Sequence, residues 1–218
     1  MNRLKILIII GHGGNDVGAL GNGLREVDCN YTIAYAMYNF MKSYADVYIE
    51  STNLPLEDEV RLVNSGNYDL VISIHNNAGG GDGWEGYHYQ GDTKGIEWLK
   101  CLESEVKKIG QNSRGIKDGS GFRIINSVKP TSIIVEGFFL DNSVDVKGFD
   151  EKWEQEKLGQ AYGKGTLNYL GINYTTPTTP TGDKFYRVIT GSFKERKNAE
   201  QRVVELKNKG FDSFIEVK

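Results

Sequence analysis

Two of the three histidines in this 218-residue chain lie at the end of an apolar run or two residues beyond it. His12 comes after the run 4–10, and His75 closes the run 68–75. Short, β-branched runs of this kind predict buried strands. Because α/β sheets place ligand sites at the carboxyl ends of their strands, we expect the two imidazoles to share one edge of a sheet.

Two glutamates can reach the same edge. Glu136 ends the apolar run 132–136, and Glu26 lies in the first turn of a helix that follows the loop after His12. Two imidazoles and one carboxylate are the ligand set of a catalytic Zn²⁺ site, in which a fourth position is left for water. The ion would lower the pKa of that water, and a carboxylate outside the ligand set would move protons. We assign this acid/base role to Glu136.

Three other features have chemical and structural interpretations. Cys29 could be a soft metal ligand, although the start of its helix would place it on the core side. His88 lies in an alternating, aromatic-rich strand and is either a strand or cleft-wall residue or a substrate contact. The glycine-rich loop 13–23 contains neither GxGxxG nor GxxxxGK[ST]. Its glycines therefore favour a close turn around His12 over a phosphate site.

Composition is that of a soluble globular chain, with 39% hydrophobic and 25% charged residues. The net charge of −3 is divided into about −7 over residues 1–183 and +4 over residues 184–218. The basic tail indicates either an anionic binding surface or a solvated helix face. Two cysteines without CxxC spacing predict free thiols. We expect neither nucleic acid nor a membrane as partner.

The apolar run 4–10 is too short to span a bilayer and lacks a small-residue cleavage site. We therefore expect a protein made in the cytoplasm without a signal peptide.

Strands alternate with helices along residues 1–173. The patterns predict strands at 4–10, 47–49, 68–75, 84–89, 122–125 and 132–136, and helices at 25–44, 55–62, 93–109 and 153–170. This alternation predicts an α/β fold with a mainly parallel sheet between helices. A Thr/Pro linker at 174–183 follows. Residues 184–218 read as a small β-α-β module, with strands at 185–189 and 213–217 around a helix at 198–209.

Five short motifs follow one another along the chain: GHGG at 11–14, LRE at 24–26, SIHNNA at 73–78, RGIK at 114–117 and VEGFFLDN at 135–142. Over residues 3–172 this set resembles the zinc-dependent N-acetylmuramoyl-L-alanine amidases of the type-3 class. The resemblance implies His12, Glu26 and His75 as zinc ligands and Glu136 as the catalytic acid/base. It also implies a twisted, mixed sheet of about six strands flanked by helices.

Members of this family cut the amide between N-acetylmuramic acid and the first L-alanine of peptidoglycan, so the resemblance implies peptidoglycan as substrate. We expect Asn76 and Asn77 to line the substrate cleft. Arg114 and Lys117 either meet carboxylates of the stem peptide or pair with local acidic residues.

The tail resembles half of a sporulation-related peptidoglycan-binding repeat, which implies binding to glycan strands. Its 35 residues are too few for a stable core of their own. We expect either two tails to pair in a homodimer or one tail to fold onto the catalytic domain.

Two rival functions remain open from the sequence. One is a zinc peptidase or deacetylase that acts on another wall bond, and the other is a wall-binding protein without catalysis. The expected site of action is the cell wall after lysis, as a phage endolysin or as an autolysin released from the mother cell.

Overall fold

The computed structural model describes residues 4–51, 54–175 and 191–211. The chain divides into two units, Met1–Tyr174 and Thr175–Lys218. The first unit holds all of the strands described below and five of the six α-helices found in these residues.

Eight strands occur in the described part of the first unit. They are β1 (Lys5–Ile10), β2 (Leu20–Gly21), β3 (Leu24–Arg25), β4 (Asp46–Ser51), β5 (Leu70–Asn77), β6 (Trp84–His88), β7 (Ser113–Asp118) and β8 (Thr131–Phe139). Strands β2 and β3 form a small antiparallel hairpin. The other six form one sheet in the order β4-β1-β5-β8-β6-β7.

The sheet is mixed and mainly parallel, as predicted. Strands β4, β1, β5 and β8 run parallel to one another. Strand β6 is antiparallel to β8, and β7 is parallel to β6. The reversal brings the amino-terminal ends of β6 and β7 to the edge at which β1, β5 and β8 end.

Helices cover both faces of the sheet. They are α1 (Glu26–Met41), α2 (Leu56–Ser65), α3 (Thr93–Lys108), α4 (Arg123–Asn126) and α5 (Lys152–Tyr169), with a 3₁₀ helix at Asp145–Gly148. Strand β1 shows why its sequence is continuously apolar. Ile6, Ile8 and Ile10 enter the core beneath α1, α3 and α5, whereas Leu7 and Ile9 enter the core beneath α2 and α4. A strand covered on both faces has no solvent side.

The strand predicted at 122–125 is wrong, because this segment is helix α4. Its first turn is closed by the N–H of Ile125, which donates to the carbonyl of Phe122. Ile124 and Ile125 are adjacent and both buried, and such a short apolar run does not distinguish a strand from a buried helical turn. Strand β7 was not predicted, because it is a largely polar, partly exposed strand at the edge of the sheet.

Strands β5 and β8 continue beyond the residues that were expected to end them. Strand β5 runs two residues past His75, and β8 runs three residues past Glu136. The register between these strands shifts between His75 and Asn77, where β8 has one residue more than β5, as in a β-bulge. His75 and Glu136 therefore lie just before an irregularity, at a place where bulges commonly redirect side chains.

The second unit contains helix α6 (Arg196–Asn208), close to the helix predicted at 198–209. The strands predicted at 185–189 and 213–217 lie outside the described residues, as does most of the linker predicted at 174–183. Among the described residues, no helix combines the length and apolarity that crossing a bilayer requires.

Helices α1 and α5 pack closely at Gly159. A Cβ atom at this position would overlap the backbone oxygen of Ile33 and lie 2.8 Å from the Cβ of Ala36. We expect Gly159→Ala to force the helices apart and lower the free energy of unfolding by about 1–3 kcal/mol, measured by urea denaturation. Gly148→Ala is the control, because a Cβ there meets nothing within 4 Å. Equal stability of the two variants would contradict the close approach.

Candidate metal centre and active site

Three of the predicted site residues converge at the carboxyl edge of the parallel strands. His12, Glu26 and His75 each offer a ligand atom, and these atoms lie within 4.8 Å of one another. The Nε2 of His12 is 3.0 Å from Oε2 of Glu26, and the Nδ1 of His75 is 3.1 Å from Oε1. One carboxylate thus lies between two imidazoles, as the sequence predicted.

The β2–β3 hairpin returns the chain to this edge. Glu26 is the first residue of α1, and its N–H donates to the carbonyl of Ala19 at 2.9 Å. The N–H of Ala19 donates in turn to Oε2 of Glu26 at 2.9 Å. A carboxylate at the amino terminus of a helix also interacts favourably with the helix dipole. The hairpin and the helix start together fix the position of Glu26.

Two glycines make room for the three ligand side chains. A Cβ on Gly11 would overlap the imidazole of His75, and one on Gly18 would lie 2.5 Å from Oε2 of Glu26 and 2.7 Å from Cδ2 of His12. Gly18 also has a φ of +66°. His12 itself has a φ of 63°, which is rare for a residue with a side chain. Within the glycine-rich loop, Gly18 thus allows the close turn around His12 that the sequence predicted.

Asp16 fixes the orientation of His12. The Nδ1 of His12 lies 2.9 Å from Oδ2 of Asp16, whose other oxygen accepts from the N–H of Gly18 at 3.0 Å. When the ring is neutral, an N–H at Nδ1 that donates to this carboxylate leaves the lone pair of Nε2 free on the side of Glu26. This is the tautomer that a metal ligand needs, and a carboxylate behind the ring is its usual support. Asp16 was not predicted, although it lies within the loop after GHGG.

The charges at the cluster favour a bound cation. The hydrogen bond with Glu26 raises the pKa of His12 to about 9, against the opposing effect of desolvation and with further help from Asp16. Burial disfavours ionisation of Glu26, yet the hydrogen bonds with His12, His75 and the Ala19 N–H hold its pKa well below the usual range. The buried carboxylate therefore stays negative and attracts a positive charge, either a proton on His12 or a metal ion.

Two buried asparagines hold Glu26 and the loop beside it in place through hydrogen bonds. The N–H of Asn76 donates to Oε1 of Glu26 at 3.1 Å, and its side-chain amide donates to Oδ1 of Asn30 at 2.7 Å. Asn30 donates to the carbonyl of Gly11 at 2.9 Å. Asn76 is only 2% exposed, so it does not line the cleft as expected. The supporting role of Asn30 was not predicted.

Glu136 lies beside the cluster, opposite His75 in the β5–β8 register. Its Oε2 atom is buried and has no hydrogen-bond partner among the described residues. Desolvation, reinforced by the negative charges of Glu26 and Glu85, raises the pKa of Glu136 to about 8. A carboxyl group that exchanges its proton near neutral pH suits general acid/base chemistry.

The remaining predicted substrate contacts surround a buried carboxylate that was not predicted, Glu85. Oε1 of Glu85 accepts from Nε of Arg114 and from Nζ of Lys117, and Oε2 accepts from the side-chain amide of Asn77 at 3.3 Å. Arg114 and Lys117 were expected to meet either the stem peptide or local acidic residues. The structure shows the second of these, because both pair with Glu85. A glutamate within the aromatic strand β6 was the available signal, because an acidic residue at a buried position needs partners.

The two minor candidates stand apart from the metal cluster. Cys29 is 1% exposed and belongs to the core, where desolvation raises the pKa of its thiol to about 12. This confirms the core-side interpretation. Both cysteines are free, as predicted. His88 is not one of the clustered ligands, and its Nδ1 lies 2.6 Å from the carbonyl of Tyr89.

Comparison with protein families gives two matches. The model described as N-acetylmuramoyl-L-alanine amidase matches residues 6–168, which include every residue of the site described above. The model described as SPOR domain matches residues 164–215.

Two relatives carry the same name, and a third is a phage endolysin. The N-acetylmuramoyl-L-alanine amidase CwlM of Bacillus licheniformis is 27% identical over 97% of this chain and 84% of its own length. The sporulation-specific N-acetylmuramoyl-L-alanine amidase of Bacillus subtilis is 29% identical over 99% of this chain and 85% of its own length. The endolysin of Bacillus phage SPP1 is 30% identical, and the match covers 74% of this chain and 64% of that protein.

Solved structures share the fold. The catalytic domain of the CD27L endolysin, which targets Clostridia difficile, superposes with a TM-score of 0.66 at 29% identity, covering 76% of this chain and 97% of that one. An N-acetylmuramoyl-L-alanine amidase from Clostridium difficile 630 superposes with a TM-score of 0.71 at 24% identity, covering 78% and 98%.

The raised pKa of Glu136 predicts a pH dependence of stability in metal-free protein. The folded state holds this pKa at about 8, whereas 4.5 is the ordinary value, so the folded chain keeps a proton that the unfolded chain releases. The stabilising effect of that proton is present below about pH 4.5 and is lost as the pH rises through about 8. Glu136→Gln stays neutral at all of these pH values.

With a chelator present, we expect Glu136→Gln to melt at a higher temperature than the unmodified protein. The difference should be small at about pH 5 and several degrees at about pH 9. The measurement is thermal unfolding followed by circular dichroism. Glu156→Gln, on the exposed face of α5, is the control and should not change with pH in this way. A constant difference across the pH range would contradict the buried, unpaired state of Oε2 of Glu136.

Proposed function

The chain belongs to the N-acetylmuramoyl-L-alanine amidase family, and from this we propose that it hydrolyses its substrate with a Zn²⁺ ion held by His12, Glu26 and His75. The protein is a peptidoglycan hydrolase that acts on the amide between N-acetylmuramic acid and L-alanine.

The observation that carries the zinc proposal is the buried carboxylate between two imidazoles. Its ligand atoms lie within 4.8 Å of those of both histidines, and the glycines at 11 and 18 leave the space that they need. Nitrogen and oxygen donors in this number suit a catalytic zinc site with an open position. Bound there, Zn²⁺ would supply a Lewis acid and a water molecule of lowered pKa.

Glu136 moves the protons of the reaction. It takes a proton from the attacking water and then delivers one to the leaving amine of L-alanine, which could not depart as an anion. Its buried Oε2 and its pKa of about 8 allow both protonation states to be reached near neutral pH.

Three further residues act through the ligands. Asp16 holds the ring of His12, and Asn30 and Asn76 hold the loop and the carboxylate beneath them. These are positioning residues. They keep the ligand atoms together before any ion arrives, which lowers the cost of assembling the site.

We also propose that residues 184–218 serve attachment to peptidoglycan and that two such tails pair in a homodimer. The SPOR match at 164–215 supports the attachment to peptidoglycan, and the shortness of the tail is the reason to expect pairing. The site of action that we propose is the cell wall after release by phage or mother-cell lysis. The relatives include a phage endolysin and a sporulation-specific amidase.

The central prediction concerns lysis of purified peptidoglycan. We expect the unmodified protein to lower the turbidity of the wall suspension and to release new amino-terminal alanine, and a chelator to abolish both. Added Zn²⁺ should restore them. Glu136→Gln should lower the rate by about 10²–10⁴-fold, because it cannot exchange protons.

Metal analysis separates loss of the ion from loss of the acid/base. Glu136→Gln should still bind Zn²⁺, whereas Glu26→Gln should lose it, as measured by competition with a chromophoric chelator. Glu156→Gln is the matched control and should lyse walls normally. Retained lysis by Glu136→Gln, or lysis that a chelator does not affect, would contradict the mechanism. Release of other amino termini or of acetate would indicate one of the rival wall hydrolases.

The homodimer is tested by light scattering over a range of concentrations. The chain has a mass of 24.4 kDa, and we expect a species of twice this mass at high concentration. A monomer at every concentration would contradict pairing of the tails and leave the amidase activity untouched.

A further inference from the structure

Arg114 and Lys117 are held in place by a carboxylate that the hydrolytic mechanism does not use. Glu85 is 2% exposed, and Oε1 accepts from Nε of Arg114 and from Nζ of Lys117. Its Oε2 accepts from the hydroxyl of Tyr87 at 2.5 Å and from the amide of Asn77 at 3.3 Å. Both oxygens are fully engaged, so Glu85 fixes its neighbours and does not itself react.

The cluster carries surplus positive charge at an accessible place. Two cations surround one carboxylate, and the side chains of Arg114 and Lys117 remain 43% and 35% exposed. The guanidinium of Arg114 lies 5.3 Å from the centre of the Phe139 ring, and Nζ of Lys117 lies 5.8 Å from that of Tyr87. Ring contacts and Glu85 thus fix both cations in advance.

Arg114 has donors left for a ligand. Its Nε is taken by Glu85, while its two terminal amino groups have no acceptor among the residues that the structure describes. These amino groups match the geometry of a carboxylate.

The position of the cluster points to the peptide part of the substrate. Along the edge of the sheet the order is His12 after β1, His75 on β5, Glu136 on β8, Glu85 on β6, and then the two cations on β7. Glu85 and Glu136 are directly opposite each other in the antiparallel register, which places their Cβ atoms about 4.5–5.5 Å apart. The cations therefore lie on the far side of Glu136 from the metal ligands.

The chemistry of Glu136 fixes the direction in which the peptide runs. This residue protonates the amine of L-alanine, so the leaving group lies next to it, whereas the scissile carbonyl faces the metal ligands. The peptide that follows L-alanine then extends across β6 and β7. A free carboxylate on the residue after L-alanine would then come close to the two cations.

We propose that Arg114 and Lys117, positioned by Glu85, form a subsite for this free carboxylate and make the enzyme prefer stem peptides that carry it over those in which it is a carboxamide. The inference rests on the proposed function, because it uses the acid/base role of Glu136. Arg114 and Lys117 are specificity-determining residues in this proposal, and Glu85 is a positioning residue.

The test compares two preparations of the same peptidoglycan that differ only in whether the residue after L-alanine bears a carboxylate or a carboxamide. The measured quantity is the rate of release of amino-terminal alanine at limiting substrate. We expect the unmodified protein to prefer the acidic form by roughly 10- to 100-fold, the usual effect of a hydrogen bond to a charged group. High salt should reduce this preference, because a carboxamide carries no charge.

Two variants remove one cation each. Arg114→Gln and Lys117→Met should each lower the preference by roughly tenfold or more, with the loss falling on the acidic form and on KM. Each variant leaves Glu85 paired with the other cation, so neither creates an isolated buried charge, and thermal unfolding checks that both are folded. Glu85→Gln should weaken the preference as well, because the cations lose their fixed positions.

Arg123→Gln is the matched control. Arg123 pairs with Glu57 on α2 and does not belong to the cluster, so the preference should stay unchanged. Equal rates on the two forms by the unmodified protein, or equal losses on both forms in the two cation variants, would overturn the subsite alone. Release of alanine from neither form by the unmodified protein would overturn the proposed function.

Discussion

The site depends on one buried carboxylate. Glu26 is 4% exposed, and a carboxylate taken out of water is costly unless charges and donors surround it. The two imidazoles and the backbone N–H groups of Ala19 and Asn76 meet this requirement. The β2–β3 hairpin and the left-handed conformation of His12 serve the same end, because they bring these groups around one carboxylate. Much of the chain between β1 and α1 is therefore shaped by Glu26.

The order of the strands in the sheet determines which site residues lie next to one another. The parallel strands β1 and β5 bring the two histidines, and β8 brings Glu136 next to them. Because β6 and β7 run in the opposite direction, their first residues, not their last, reach this edge. Glu85 and Arg114 enter the site in this way. A fully parallel sheet would have presented His88 and Asp118 here instead.

The sequence predicted those parts of the site that contrast with their surroundings. His75 and Glu136 follow apolar runs, so that a polar residue at the end of a buried strand was informative. The fold class was predictable for the same reason, since buried strands alternate with amphipathic helices. The role of Glu85 was not predicted, because β6 mixes polar and aromatic residues and Glu85 contrasts less with its neighbours.

The failures have local physical causes. The segment 122–125 is apolar and short, and only its packing beneath the sheet decides that it is helical. Strand β7 lies at an edge and has no apolar pattern. Asn76 was expected to line the cleft, but successive residues of a strand face opposite sides of the sheet, and Asn76 falls on the same side as Ile72 and Ile74, which face the core. The sequence next to a site residue thus does not reveal which adjacent residues contact the substrate and which are buried and hold the site residues in place.

Three glutamates at one edge of the sheet show why residue type alone does not determine a role. Glu26 faces two imidazoles and stays ionised, and the cations and hydroxyl around Glu85 likewise outweigh its desolvation and lower its pKa. Glu136 has no such partner at Oε2 and holds its proton to about pH 8. Since Glu85 and Glu136 are directly opposed, the charge of the first raises the pKa of the second. Because the cations keep Glu85 ionised, they affect Glu136 through it, so that the residue holding the proposed peptide subsite helps to set the acidity of the proposed proton donor.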